Sequence, residues 1–167
     1  MQPKSRTLIL PSSHPSSIQI YSPLAASLIA ELEVSPSNRV SRPFQKRLNP
    51  SRVDLIAISD CGTWLATVDM RDGSDEGMGL DVFLKIWQWD ESEKIWDLNT
   101  KIDRPHGGNK VHSIAFSSTH HGPGPLLAST GSDANVRTWN LRQQPEKDLE
   151  QHCKSKYTSS VPFIDFA

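Results

Sequence analysis

Short apolar runs separated by turn residues dominate the chain between residues 52 and 141. RVDLIAIS (52–59), WLAT (64–67), LKIWQW (84–89), DLNTKID (97–103), KVHSIAFS (110–117), LLAS (126–129) and VRTWNL (136–141) are bounded by DCG, DGSDEG, HGPGP and GSDAN. Runs of this length, mostly rich in β-branched and aromatic residues and closed by Gly, Asp and Pro, predict strands joined by turns. No segment sustains a 3.6-residue apolar period. Alternation in the first run is imperfect, with Val53, Leu55 and Ala57 set against Asp54, Ile56 and Ser59. TLIL, SSIQIYS and SLIAELEV, in the first 37 residues, form a weaker series of the same kind.

The runs repeat in order. RVDLIAIS lies over KVHSIAFS, WLAT over LLAS, and LKIWQW over VRTWNL. The spacing differs only by insertions between matched blocks: Thr67 to Trp87 is 20 positions where Ser129 to Trp139 is 10. Repetition at this period marks a stacked architecture, because one antiparallel sheet cannot bury both of its faces and must pack against its neighbours. Three matched strands per unit, with DLNTKID as a fourth, predict four-stranded blades of a β-propeller. The expected fold is therefore all-β and propeller-like, but partial, with about two fairly complete blades between flanking pieces. By residue, 1–37 supplies the last strands of a preceding repeat and 38–52 a basic inter-blade loop. Residues 53–105 make a blade with a long inserted loop at 69–81, 106–160 make a second blade, and 161–167 open a further one. A ring needs at least four blades of about 40 to 45 residues, so the chain reads as a truncated product or partial gene model, or else as one whose missing blades come from a partner.

Composition narrows the function classes. With 18 basic and 19 acidic residues the formal charge is −1, so no global field attracts nucleic acid or an anionic membrane. Cys61 and Cys153 stand far apart without a CxxC neighbour, which suits free thiols in a reducing compartment and gives no zinc motif. The apolar run before Pro11 is too short for a signal sequence or a membrane span. The expectation is a soluble intracellular protein, with no membrane association and no small-molecule substrate.

Three constellations carry chemistry on paper. His106, Ser129 and Asp133 are the residue types of a hydrolytic triad, but the G-x-S-x-G elbow that exposes a nucleophile is missing and Ser129 sits inside a strand-like run. His106, His112, His120 and His121 lack the spacing of metal ligands, and DMRDGSDEGMGLD (69–81) lacks the oxygen-ligand pattern of a calcium loop. No catalytic residue, metal or cofactor is therefore expected. The segment NRVSRPFQKRLNPSR (38–52) is different: Arg39, Arg42, Lys46, Arg47 and Arg52 stand there without an acidic residue, beside Phe44. That density suits contact with RNA phosphates, with Phe44 offering a ring for base stacking. A solvated loop or a nuclear-targeting signal accounts for the same residues.

GSDANVRTWNL, preceded by LAST, resembles the closing strands of a WD repeat, with Asn140 where the family usually has Asp. The resemblance implies a structural hydrogen-bonded tetrad of His106, Ser129, Asp133 and Trp139. In the earlier repeat it implies an incomplete one holding Thr67 and Trp87, with no histidine near positions 46–50. ELEVSPSNRVSR (31–42), SRVDLIAISDCGTWLATVD (51–69), LKIWQWD (84–90) and above all LNTKIDRPHG (98–107) make the resemblance narrower. Together they are similar to the nucleolar WD-repeat subunit of the UtpA complex, the transcription-associated part of the small-subunit processome. That family implies a non-enzymatic scaffold in the nucleus and nucleolus. Its implied partners are other UtpA subunits and processome proteins, the 5′ external transcribed spacer of pre-rRNA and the box C/D snoRNA particle. Its implied role is support of rRNA transcription and processing. A generic WD adaptor in ubiquitin ligation or chromatin work stays open beside it.

Overall fold

The computed structural model describes residues 6–36, 50–71, 80–118 and 124–141. Ten strands make up all of their regular structure: β1 (Leu8–Pro11), β2 (Ser17–Ser22), β3 (Ser27–Glu33), β4 (Arg52–Ile58), β5 (Trp64–Arg71), β6 (Asp81–Asp90), β7 (Ile95–Asp103), β8 (Val111–Phe116), β9 (Leu126–Gly131) and β10 (Val136–Asn140). They form three antiparallel sheets in the orders β1-β2-β3, β4-β5-β6-β7 and β10-β9-β8. Each sheet is a meander, as short turn-bounded strands require. Successive antiparallel meanders of this kind are blades of a partial β-propeller.

The sheets stack through two apolar clusters. Ile18, Ile20 and Val34 of the first sheet meet Leu65, Trp87 and Trp96 of the second. Trp64, Ala66, Val68, Met70, Leu84 and Ile86, on the opposite face of the second sheet, meet Val111, Leu127, Trp139 and Leu141 of the third. Sandwiching explains why β5 is buried along nearly its whole length while β3, at the outer edge of its sheet, is exposed at six of seven positions. Both matched tryptophans face the preceding sheet, which is the same placement repeated.

The imperfect alternation of the 52–59 run has a local cause, shared by the first strand of the third sheet. Pairing of β4 with β5 shifts between Val53 and Leu55, and pairing of β8 with β9 shifts between Val111 and Ser113. The bulged residues, Asp54 and His112, occupy the same position in the repeat overlay. One extra residue reverses the facing of everything after it. Val53 accordingly packs toward the first sheet, while Leu55 and Ala57 pack toward the third.

Two expected boundaries move. Asp69–Arg71 continue β5 and Asp81 begins β6, so strand pairing takes both ends of the expected 69–81 loop, joining Arg71 to Asp81 and Asp69 to Phe83. Arg52 belongs to β4 rather than to the basic loop. Residues 38–49 of that loop, the end of the 106–160 unit and the 161–167 strand lie outside the described residues.

Candidate functional site

His106, Ser129, Asp133 and Trp139 come together between the second and third sheets. His106 is carried by the turn between β7 and β8. There Arg104 N–H donates to the Val82 carbonyl at 2.8 Å, and Gly107 N–H to the Arg104 carbonyl at 2.9 Å. Pro105 is fully buried, and its ring fixes φ just ahead of the histidine. Gly107 and Gly108 follow with φ of +65° and +86°, conformations that glycine adopts without steric cost.

Four groups are linked by three bonds. Trp139 Nε1–H donates to Ser129 Oγ at 3.0 Å, His106 Nε2 lies 2.9 Å from Ser129 Oγ, and His106 Nδ1 lies 2.8 Å from Asp133 Oδ1. An ionised carboxylate only accepts, so Nδ1 carries the proton toward Asp133. In a neutral ring Nε2 then accepts the serine hydroxyl, which leaves Oγ free to accept the indole proton. Every donor of the four side chains is met. Asp133 also accepts from the Asn135 N–H at 3.2 Å and from Arg137 Nη2 at 3.2 Å. Burial pushes its carboxyl up, but the hydrogen bonds from His106 and Asn135 outweigh this and hold it down at about 2.

The distances are those of a catalytic triad, yet access and valence argue for another use. His106 is fully buried, Ser129 is 1% exposed, and the serine oxygen is already committed to the indole. A nucleophile needs a free approach to its oxygen and oxyanion donors beside the reacting atom. The imidazole itself is closely packed: a Cβ built on Gly131 would stand 2.5 Å from both Cγ and Nδ1 of His106.

In the second sheet Trp87 Nε1–H donates to Thr67 Oγ1 at 3.0 Å, repeating half of this arrangement. The position matching Gly131 is Asp69, two residues beyond the hydroxyl. Its carboxylate is completely buried, and Oδ1 lies 2.8 Å from Lys85 Nζ, meeting it as an ion pair rather than in a directional hydrogen bond. Ser51 Oγ–H donates to Asp69 Oδ2 at 3.3 Å. Sequence reading missed Ser51, Asp69, Lys85 and Gly131. Strand pairing brings them out, because Lys85 stands opposite Thr67 as Arg137 stands opposite Ser129. A lysine inside LKIWQW therefore had to find a buried partner or face water.

Of the basic segment, Arg39, Arg42, Lys46 and Arg47 lie outside the described residues, as does Phe44. Arg52 is described: its side chain is more than half exposed, with Nε 3.9 Å from Asp54 Oδ1 and Nη2 3.2 Å from Met70 Sδ. Cys61 is half-buried, its Sγ 2.9 Å from Thr63 Oγ1 and 3.1 Å from Ser59 Oγ. Burial raises its thiol, and those hydroxyl contacts with nearby backbone bonds bring it below the usual value. Among the described residues no group of three His, Cys, Asp or Glu side chains is arranged to hold a metal ion.

Comparison with known proteins places the architecture. WD repeat-containing protein 75 of Xenopus laevis is 29% identical over 145 residues, covering 84% of this chain and 17% of that protein. The Homo sapiens protein of the same name is 23% identical over 143 residues, covering 84% and 16%. U3 small nucleolar RNA-associated protein 17 of Schizosaccharomyces pombe is 28% identical over 156 residues, covering 84% and 19%. The chain thus spans less than a fifth of the length of these relatives. A family model described as the second β-propeller of WD repeat-containing protein 75 matches residues 1–160. With stacked antiparallel sheets repeating a tryptophan–hydroxyl pair and nearly the whole chain matched, this protein belongs to the family of the WD repeat-containing protein 75 second β-propeller.

Proposed function

We propose that the chain is part of a non-enzymatic propeller scaffold of ribosome biogenesis, acting in the nucleolus within the UtpA part of the small-subunit processome. Its partners in this reading are other UtpA subunits, the pre-rRNA 5′ external transcribed spacer and the box C/D snoRNA particle, and its role is support of pre-rRNA transcription and processing. The observation that carries the reading is the match over residues 1–160 to a propeller family whose fission-yeast relative is named for U3 small nucleolar RNA. His106, Ser129, Asp133 and Trp139 act as a structural lock that ties the β7–β8 turn to the third sheet. Thr67 and Trp87 are the corresponding part of a lock in the second. Arg39, Arg42, Lys46, Arg47 and Arg52 are the RNA or partner contact.

The test is to tag the protein in its own cells, crosslink, and sequence the RNA recovered with it. Pre-rRNA spacer reads, nucleolar signal and co-purified UtpA subunits are the expected result. A purely cytoplasmic pool without those subunits would sink the reading, as would recovery of ubiquitin-ligase or histone-modifying subunits in their place. Replacing Arg39, Arg42, Lys46 and Arg47 by glutamine should lower RNA recovery and flatten its log–log salt dependence by up to about 0.7 for each phosphate no longer neutralised. Unchanged recovery would remove the basic segment from the proposal.

A further inference from the structure

Lys85 is a cation set in an apolar strand, and only 5% of its side chain is exposed. Removing an ammonium and a carboxylate from water is offset only when the geometry is good and their other donors and lone pairs are met. Here partners come from two directions. Lys85 Nζ lies 2.8 Å from Asp69 Oδ1 within the second sheet and donates at 2.6 Å to the carbonyl of Val34, which follows the last strand of the first sheet. The other Asp69 oxygen accepts from Ser51, which directly precedes β4.

Val34 and Ser51 stand at the two ends of the connection that carries the basic segment. We infer that the Lys85–Asp69 pair is an inter-blade clamp: it occupies the place of the histidine lock in the second sheet, holds the first sheet against the second, and fixes both ends of that connection. The histidine lock does something different. His106, Ser129 and Asp133 belong to one sheet and its leading turn, so their bonds stay within a blade. Lys85 bonds a residue 51 positions away on a neighbouring blade. The exchange follows from one position. Gly131 leaves room for an imidazole, whereas Asp69 projects a carboxylate there and calls for a cation, which β6 supplies from the residue facing Thr67. None of the contacts uses Arg39, Arg42, Lys46 or Arg47, so the clamp stands whether or not that segment touches RNA.

Hydrogen exchange on the whole chain tests this. The Lys85→Met/Asp69→Val double variant removes both charges and strands neither. Amides of Ile18, Ile20, Val34 and Ser35 should then exchange on the order of tenfold faster, while those of Leu127 and Ser129 keep their protection. Unchanged protection in the first sheet overturns the clamp, and so does an equal loss from all three sheets, which is the pattern of general destabilisation. The single Lys85→Met variant should unfold at lower urea than the double variant, because it leaves a buried carboxylate alone; equal midpoints would show that the two groups are not coupled. Should the double variant fail to fold, Ser51→Ala removes one bond only. It should speed exchange at Arg52 and Val53 alone, and an unchanged rate there also counts against the clamp.

Discussion

The second and third sheets solve one packing problem with different chemistry. Each directs a buried indole N–H at a hydroxyl, from Trp87 to Thr67 and from Trp139 to Ser129, both at 3.0 Å. In the third sheet the serine is backed by an imidazole and a carboxylate. In the second, the neighbouring space holds a carboxylate, an ammonium and a serine. The choice turns on the residue two positions after the hydroxyl, Gly131 or Asp69. A missing Cβ admits a ring, and a carboxylate excludes it. The two networks therefore differ in reach and in what breaks them: the histidine network braces a turn against its own sheet, while the lysine network also reaches a neighbouring sheet.

The largest expected effect lies on the lysine side. Lys85→Met leaves the Asp69 carboxyl buried without its cation, a loss of about 3–5 kcal/mol that urea unfolding should register as a lower midpoint with little change in slope. Ser129→Ala comes next, since it strands both the Trp139 indole and His106; about 2–3 kcal/mol is expected for unpaired buried polar groups, read by the fall in thermal midpoint. If Ser129→Ala instead leaves stability intact, the lock has been misassigned. Gly131→Ala forces the His106 ring aside and should cost about 1–3 kcal/mol by overpacking. Combined with His106→Ala, most of that cost should disappear, a coupling that a double-mutant cycle measures. Thr67→Val strands one indole only and should fall near 1 kcal/mol, below Ser129→Ala in the same assay. The smallest effect is the acid response. Asp133 has its carboxyl depressed to about 2 in the folded chain against 3.8 in the ordinary case. Its contribution is therefore complete above pH about 4 and fades as pH falls through about 2. Asp133→Asn should remove that part of the acid dependence in a pH-stability profile.

The fold was legible because its signal is repeated. Matching runs and turn residues announced strands in order, and the overlay of Trp87 on Trp139 aligned the sheets before any pairing was known. The histidine network was legible through resemblance to the WD repeat, since its members recur at recognisable places. Its geometry supplies what the pattern could not: the full burial of His106 and the serine oxygen that accepts from an indole. Asp69 and Lys85 were hidden for a physical reason. A charged residue in a sequence reads by default as solvent-facing, and the repeat overlay places Asp69 at the start of an inserted loop. Burial of both strand faces reverses that default, but only once neighbouring sheets are in place. The imperfect alternation of the 52–59 run was visible in the sequence without its cause. Pairing shows it to be a bulge at the same point of each repeat.

By itself the sequence determined strand content, the repeat, and the family resemblance, because these rest on local propensity and on order along the chain. Tertiary structure alone decided which charges are buried and whom they meet. Asp69 and Lys85 are 16 positions apart and Val34 and Lys85 are 51 apart. The second pair meets only when separate sheets stack, and the same stacking shuts water out of the first, so that each buried charge depends on the neighbours that can answer it.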